Sequence, residues 1–447
     1  MIGIWGFGVV GKSFARYFIA QNQEIMVFDK KTLSEADQQW LRENTIAYDP
    51  EVSLESFLQR CTSIVPSPGI DLRPYKEYFH KFIHELDLFY LKWRADNCKT
   101  PIIAITGTMG KTSTTHLLSE CLRAAGKRVV TGGNIGTALI DLLPNRFDVD
   151  YYVIELSSFQ LEYAQQFAPD IALWTNLYPK HLDRHENMHN YFAAKYNIMA
   201  HQSPEHISII PLDLLEKIEN NKNSQSRKIY WSENLLPQDV HGYEVVNRTI
   251  IRKADDLMPM VHQSELPSTT FFSNWVLIIA TLDTIGIDFK PLFLNHAFAI
   301  PEHRGECIAE VNGVKYFDDS KATLFEATLK AIERLEQMPL IVLIGGISEN
   351  NDRLSQIPLF KNKVVALVCF GAEADELAHA AQQAQITATS HKTLEEAVLY
   401  ARSIARQGFG ILLSPGGPSY DLFNNYQERA QRFRSLVLDA PRASQVG

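Results

Sequence analysis

Pro101-Ile102-Ile103-Ala104-Ile105-Thr106 runs straight into Gly107-Thr108-Met109-Gly110-Lys111-Thr112-Ser113, and a helical periodicity then takes over through 114–125. A short apolar run that ends in a glycine-rich turn and opens a helix reads as a buried strand delivering a phosphate-binding loop. In such a loop the backbone amides cradle phosphate oxygens. A lysine placed like Lys111 reaches terminal phosphates, and a hydroxyl placed like that of Thr112 ligates Mg²⁺. The spacing falls one glycine short of the full GxxxxGK[ST] pattern, because Ile105 stands where the first glycine would. A purely structural glycine turn is the competing reading.

Working outward, strand-like runs at 129–131, 151–155, 171–175 and 207–211 alternate with helical patterns. That alternation predicts a mostly parallel sheet with helices on both faces. The stretch 220–265 is polar and irregular and carries no assigned element. Upstream, a strand at 1–5 leads into Gly6-Phe7-Gly8-Val9-Val10-Gly11, then a helix through Phe14, Tyr17 and Phe18. A second strand at 25–28 ends at Asp29, and a third at 63–65 enters the loop Pro66-Ser67-Pro68-Gly69. Residues 75–97 read as helix running to a boundary near Lys99. Downstream, a further unit begins near Ile300, with strands at 314–317, 340–344, 364–369 and 410–413 and a helix at 325–336. The expectation is three α/β domains in series. These are a Rossmann-like domain (1–98), a central P-loop ATPase-like domain with a mostly parallel sheet (99–299), and a C-terminal Rossmann-like domain (300–447).

The bulk properties agree with a chain of 447 residues in about three domains. With 43 basic and 52 acidic side chains the net charge is −9, a poor match to a nucleic-acid backbone but compatible with small anionic substrates. Five scattered cysteines without a CxxC pair suggest reduced thiols rather than disulfides or a zinc site. The longest apolar stretch, 275–282, is far short of the roughly 20 residues that span a bilayer. The first strand-like run begins at Met1, so no secretory leader and a cytoplasmic location are expected.

Gly6-x-Gly8-x-x-Gly11 with Asp29 at the end of the next strand fits a dinucleotide fingerprint, and equally fits close helix–strand packing. Glu155 ends a strand and precedes Leu156-Ser157-Ser158-Phe159-Gln160-Leu161. A carboxylate there suits Mg²⁺, whereas the serines alone would make a helix cap. Lys180-His181-Leu182-Asp183-Arg184-His185 follows another strand; His181 is either a second-metal ligand or a structural histidine. Lys195, in Phe192-Ala193-Ala194-Lys195, reads by itself as a solvated helix lysine. The third domain offers His303-Arg304 and two segments that follow strands and could recognise anions, Asp318-Asp319-Ser320-Lys321-Ala322-Thr323 and Ser414-Pro415-Gly416-Gly417-Pro418-Ser419; each is equally compatible with capping and turn chemistry.

In this order, and together with Gly132-Gly133-Asn134-Ile135-Gly136, these segments resemble the Mur ligase family across nearly the whole chain, 3–433. Its members are ATP-dependent amide ligases of peptidoglycan precursor synthesis, and the match is to the branch that adds D-glutamate. The resemblance implies that UDP-N-acetylmuramoyl-L-alanine is joined to D-glutamate through an acyl phosphate. The UDP part would lie near Gly8, Val9, Asp29 and Gly69, and Asn134, Ser157 and Gln160 would reach the muramoyl part. ATP would be held by Gly107, Thr108, Met109, Gly110, Lys111, Thr112 and Ser113, helped by Asn274, Arg304 and Asp319. Two Mg²⁺ ions, replaceable by Mn²⁺, would be ligated by Thr112, Glu155, His181 and Lys195, the last carbamylated by CO₂. Lys321, Thr323, Ser419 and Tyr426 would handle the amino acid, and Lys111, Lys195, His181 and Lys321 would be catalytic. The implied partners are small molecules only, without nucleic acid or membrane, and the expected assembly is a monomer.

The chain departs from the family pattern at four places. Met109 stands for the usual asparagine and Lys180 for an acidic or amide residue. Gly305 stands for an apolar residue, and Glu349, in Gly345-Gly346-Ile347-Ser348-Glu349, for a common lysine. Two other readings remain: a relative that joins a different amino acid, and a non-catalytic or NAD-binding relative that would use only the first domain.

Overall fold

The computed structural model describes residues 1–438 except 96–97, 146, 222, 268–269, 300–301 and 349–351. The boundary expected at Ile300 and the departure at Glu349 therefore lie outside the described residues. The chain forms two compact units. The first holds Met1–Tyr178, Arg184–Glu265 and Ser273–His296; the second holds Pro179–Asp183, Leu266–Phe272 and the chain from Ala297 onward.

The first unit contains two sheets. Strands β1 (Ile2–Trp5), β2 (Ile25–Phe28), β3 (Ala47–Tyr48) and β4 (Ser63–Pro66) are all parallel, in the order β3-β2-β1-β4. The chain steps outward from β1 and then returns to its other side, so the sheet's switch point lies between the C-terminal ends of β1 and β4. Ligands of open α/β sheets bind at such points. The second sheet comprises β5 (Ile102–Thr106), β6 (Val129–Gly133), β7 (Tyr151–Glu155), β8 (Ile171–Trp174), β9 (Ile207–Pro211), β10 (Arg227–Trp231), β11 (Gly242–Val246), β12 (Thr249–Lys253) and β13 (Leu257–His262). Its order is β13-β12-β11-β10-β9-β8-β5-β7-β6. From β5 the chain goes to one side through β6 and β7, then to the other through β8, which places the C-terminus of β5 at this sheet's switch point. β5 and β8 are wholly buried because helices cover both faces, and that double burial is what makes them continuous apolar runs. The helix Glu85–Ala95 joins the two layers, its Trp93 meeting Tyr152 edge-on at 4.3 Å in a core that extends from Phe14 to Trp174.

The second unit carries β14 (Glu306–Val311), β15 (Val314–Asp318), β16 (Leu340–Gly345), β17 (Ala366–Phe370), β18 (Ala388–His391) and β19 (Gly410–Leu413), in the order β14-β15-β19-β16-β17-β18. Only β14 is antiparallel. Insertion of β19 between β15 and β16 brings the loops after these three strands to one edge.

The α/β architecture with mostly parallel sheets is as expected from sequence, and the details differ in three places. The irregular stretch 220–265 is strand-rich, extending the second sheet by four strands. β11 and β12 pair through a two-residue turn at Asn247 and Arg248, both left-handed (φ 48 and 59°). That geometry closes a hairpin without the usual glycine, which is why the sequence hides it. The edge strand β13 contains Pro259 and pairs with β12 across a bulge. Residues 75–97 divide into a 3₁₀ segment, Arg73–Lys81, and the helix Glu85–Ala95, with Asn97 outside the described residues. Lastly β3 is only two residues long, β14 is broken by Glu306 and Glu310, and β18 carries a single apolar residue, so none announces itself.

Candidate functional site

At the switch point of the second sheet, Gly107 (φ 144°) and Gly110 (φ 81°) have no room for a side chain. A β-carbon would overlap the Thr175 hydroxyl at the first and the Asn274 amide at the second. Asn274 thus sits against the phosphate loop, where the resemblance puts it. The loop is pinned from below: Asn176 Oδ1 accepts from the Met109 amide (2.9 Å), and Tyr178 N–H donates to Thr108 Oγ1 (3.0 Å). At Met109 these contacts run through the backbone, so an asparagine is not needed to shape the turn. Lys111 Nζ donates to Gly107 O (2.9 Å) and Thr108 O (3.1 Å).

Lys195 is the largest correction to the residue-by-residue reading. It is not a solvated helix lysine but 1% exposed, with Nζ donating to the same Gly107 carbonyl (2.8 Å) and lying 4.8 Å from the Tyr191 ring centre. Two ammonium groups therefore converge on one carbonyl of the phosphate loop. Glu155 lies on the strand next to β5, register-paired with Ile105. Its Oε1 accepts from Asn134 Nδ2 (2.9 Å), while its buried Oε2 has no hydrogen-bond partner among the described residues. Desolvating a carboxylate oxygen without a donor costs several kcal/mol by roughly any scale, and a cation would remove the cost. The residues present fit a hard divalent ion on Glu155. Among the described residues no three His, Cys, Asp or Glu side chains gather into a metal cage. Thr112, phosphate oxygens and a carboxylated lysine are the donors that would complete such a site. His181 belongs to the second unit and is held left-handed (φ 56°).

Ser157 and Gln160 form a reciprocal capping box at the helix Ser158–Leu161, so the bland reading of these residues is also structurally true. Gln160 spends its carbonyl on Ser157. Sequence reasoning passed over Glu85. It is 5% exposed, accepts from the Leu139 amide (3.0 Å), and ties the helix Glu85–Ala95 to the segment after Asn134. Burial pushes its carboxyl up to about 7, against the Leu139 amide and the Gln160 side chain, which pull it down. Arg184 was also missed as a site residue although its motif was quoted. It binds Glu162 (2.8 Å) and the carbonyls of Ile70 (3.0 Å) and Gly69 (3.4 Å), fixing the loop after β4.

At the switch point of the first sheet the three fingerprint glycines separate by role. Gly6 (φ 92°) and Gly11 are required by packing, since a β-carbon on Gly11 would overlap Gly6 O. Gly8 and Gly69 face open space. Gly8 caps the helix Val9–Ile19, where free N–H groups attract anions. Asp29 Oδ2 accepts from the Phe7 amide (2.8 Å), bracing the turn, and Val9 is exposed.

In the second unit Asp318 and Asp319 end β15. Burial raises Asp318, but hydrogen bonds from Ser320 and His303 outweigh it and hold the carboxylate below its ordinary value. Asp319 is pushed up to about 7 by burial and accepts from Ser414 Oγ (2.7 Å). Gly305 is left-handed (φ 69°), and the Arg334 guanidinium occupies the place a side chain would take. Arg334 also donates to Arg304 O (3.2 Å), which accounts for glycine at this departure. Ser419 is buried, and Lys321 Nζ lies 5.5 Å from the Tyr426 ring centre. Lys180 Nζ donates to Thr323 Oγ1 (2.7 Å). Arg353 binds Glu373 (2.9 Å) and the carbonyls of Gly345 (2.8 Å) and Gly346 (2.9 Å). Arg429 is fully buried on Gly417 O and Ser320 O.

A phosphate loop with two converging lysines, a strand-end carboxylate at its side and a separate α/β unit with its own donor-rich edge is the ground plan of a nucleotide-dependent ligase. Residues 1–77 match the Mur ligase MurD-like N-terminal domain and residues 105–262 the Mur ligase middle domain, and the chain belongs to the Mur ligase family. It is 33% identical over 452 residues to the UDP-N-acetylmuramoylalanine–D-glutamate ligase of Alkaliphilus metalliredigens, covering 97% of this chain and 96% of the relative. The enzyme of the same name from Alkaliphilus oremlandii is 32% identical over 462 residues, covering 98% of each. Among solved structures, the MurF ligase of Thermotoga maritima in complex with ADP shares the fold, with a TM-score of 0.56, 17% identity, and coverage of 86% of this chain and 90% of that one.

Proposed function

We propose that this enzyme joins D-glutamate to UDP-N-acetylmuramoyl-L-alanine at the expense of ATP, releasing ADP and phosphate, in cytoplasmic peptidoglycan precursor synthesis. The observation that carries the reading is the convergence of Lys111 and Lys195 on the Gly107 carbonyl, in a chain alike from end to end to ligases of that name. The domain roles follow the sequence division. Residues 1–98 hold the UDP part at Gly8, Val9, Asp29 and Gly69. Residues 99–299 bind ATP at the phosphate loop with Asn274, and residues 300–447 take the amino acid at Lys321, Thr323, Ser419 and Tyr426. Arg304 and Asp319 complete the ATP site. The substrates are small molecules and the enzyme acts as a monomer; among the described residues no helix is long and apolar enough to cross a membrane.

Lys111 neutralises phosphate oxygens while the substrate carboxylate takes the γ-phosphoryl group. The amino group of D-glutamate then attacks the acyl phosphate, forming the amide bond and expelling phosphate. Asn134, Ser157 and Gln160 orient the acceptor. Thr112, Glu155, His181 and a carbamylated Lys195 would hold two Mg²⁺ ions, which supply Lewis-acid neutralisation of the phosphates when bound. Carbamylation turns one of two crowded ammonium groups into a carboxylate, and so relieves a like-charge pair in a buried place.

The test is ADP release that requires both UDP-N-acetylmuramoyl-L-alanine and D-glutamate, run beside NADH and NADPH absorbance. Synthesis of the amide product with one ADP per turnover is the expected result. ADP release with another amino acid only, or a change in nicotinamide absorbance instead, would overturn the reading.

A further inference from the structure

Two walls of the acceptor site stand far apart in the sequence. One is the loop after β4, which carries Gly69; the other is the helix Ser158–Leu161, whose cap is built from Ser157 and Gln160. The loop is fastened to the glycine turn at its start, where Ser67 N–H donates to Trp5 O (2.8 Å) and Ser67 Oγ to Gly6 O (3.2 Å). At its end a single buried guanidinium takes over. Arg184 donates to Ile70 O (3.0 Å) and more weakly to Gly69 O (3.4 Å). The same group grips Glu162, the C-cap of the helix Ser158–Leu161, at 2.8 Å, and its face lies 5.5 Å from the ring centre of Phe159 on that helix. A planar fork of five donors holds two segments at a fixed separation, which the point charge of a lysine does not. Arg73 braces the loop a second time, pairing with Asp71 (2.7 Å) and with Glu186, two residues beyond Arg184. At Gly69 the loop keeps an open side, for a β-carbon there would meet nothing within 4 Å. Its carbonyls face Arg184, and the open side is left for a ligand.

We propose that Arg184 is a positioning residue that sets the span of the acceptor site. It holds the loop that meets the UDP end of the substrate at a fixed distance from the helix that meets the muramoyl end. The inference rests on the acceptor reading above. Arg184 itself touches no substrate. A ligand that reaches one wall alone does not sense the separation, whereas a ligand that touches both gains from having it set in advance.

The experiment compares the wild type, Arg184→Met and Glu162→Ala as full chains. Binding of UDP alone and of UDP-N-acetylmuramoyl-L-alanine is measured by calorimetry, and KM is measured for all three substrates. Glu162→Ala leaves the Arg184 bonds to the loop in place and cuts those to the helix. Both variants are expected to weaken binding of UDP-N-acetylmuramoyl-L-alanine about tenfold to a hundredfold, the cost of misplacing a bound group by about 1 Å. The Kd of UDP should stay within about threefold, and KM for ATP and for D-glutamate within about twofold, because those ligands do not bridge the two walls. A loss of the same size for every ligand is the mark of a merely structural role and overturns the proposal. Unchanged affinity for UDP-N-acetylmuramoyl-L-alanine overturns it as well. If Arg184→Met does not fold, Glu162→Ala decides between the same outcomes. A wild type that does not bind UDP-N-acetylmuramoyl-L-alanine overturns the substrate reading and this inference together. A wild type that uses it, with both variants unaffected, overturns the inference alone.

Discussion

Replacing Glu85 by glutamine tests the buried link between the helix Glu85–Ala95 and the acceptor loop. The Glu85 carboxyl sits near 7 in the folded chain against an ordinary value of 4.5. Because the folded value is the higher, stability is fully present below about pH 4.5 and is lost as pH rises through about 7. A gap of about 2.5 pH units at about 1.4 kcal/mol each amounts to about 3.5 kcal/mol, of which about 2.5 kcal/mol falls between pH 5 and pH 8. Glutamine keeps an acceptor for the Leu139 amide and cannot ionise, and its extra N–H groups carry a cost that does not vary with pH. The stability difference, variant minus wild type, should therefore climb by about 2.5 kcal/mol across that range. His84, held below its ordinary value by burial, pulls the other way in both proteins and cancels in the difference. The assay is urea unfolding followed by tryptophan fluorescence, which reports the first unit alone because all six tryptophans lie in it. A difference that stays flat to within about 0.5 kcal/mol from pH 5 to pH 8 would refute the assignment of a neutral, buried Glu85.

Three other changes have definite outcomes. Lys195→Ala should abolish ligation, and formate or acetate should restore part of it by standing in for the carbamate; near-normal turnover without either would return Lys195 to a packing role. Glu155→Gln should lower kcat about tens- to hundredfold and weaken Mn²⁺ binding measured by electron paramagnetic resonance, whereas intact Mn²⁺ affinity would remove Glu155 from the metal site. Gly305→Ala forces a left-handed β-carbon into the Arg334 guanidinium and should cost about 1–3 kcal/mol, read as faster hydrogen exchange of amides in 306–318. Unchanged exchange there would mean that Arg334 moves aside without loss.

The strands that built the fold on paper were those buried on both faces. 102–106, 171–174 and 340–345 are almost entirely aliphatic, and nothing but a central parallel strand needs that composition. β11 and β12 escaped because their turn uses Asn247 and Arg248 where a sequence reader looks for glycine. The phosphate loop and Glu155 were legible because backbone geometry and strand-end position dictate them locally. Lys195 was not, since a helix lysine becomes a buried one only when a distant loop packs over it. Glu85 was hidden for the opposite reason: an acid in the first turn of a helix is what the helix dipole asks for anyway. Met109 and Gly305 looked like defects against the family pattern, and the structure gives each a reason: backbone-only contacts at one, Arg334 at the other.

β13, at the rim of the nine-stranded sheet, shows its outer row of backbone groups to its surroundings, and its own Leu257 and Met258 are both exposed. A long open rim of this kind is a template for another copy to add a strand, the first step toward insoluble fibres. Pro259 has no N–H to offer such a visitor, and the irregular pairing at Ile250 and Ile251 bends the ribbon away from flatness. The rim is thus kept unsociable by one missing proton and one kink. Pro259→Val, which alters no site residue, should leave ligation intact while making the purified protein cloud and bind thioflavin at concentrations where the wild type stays clear.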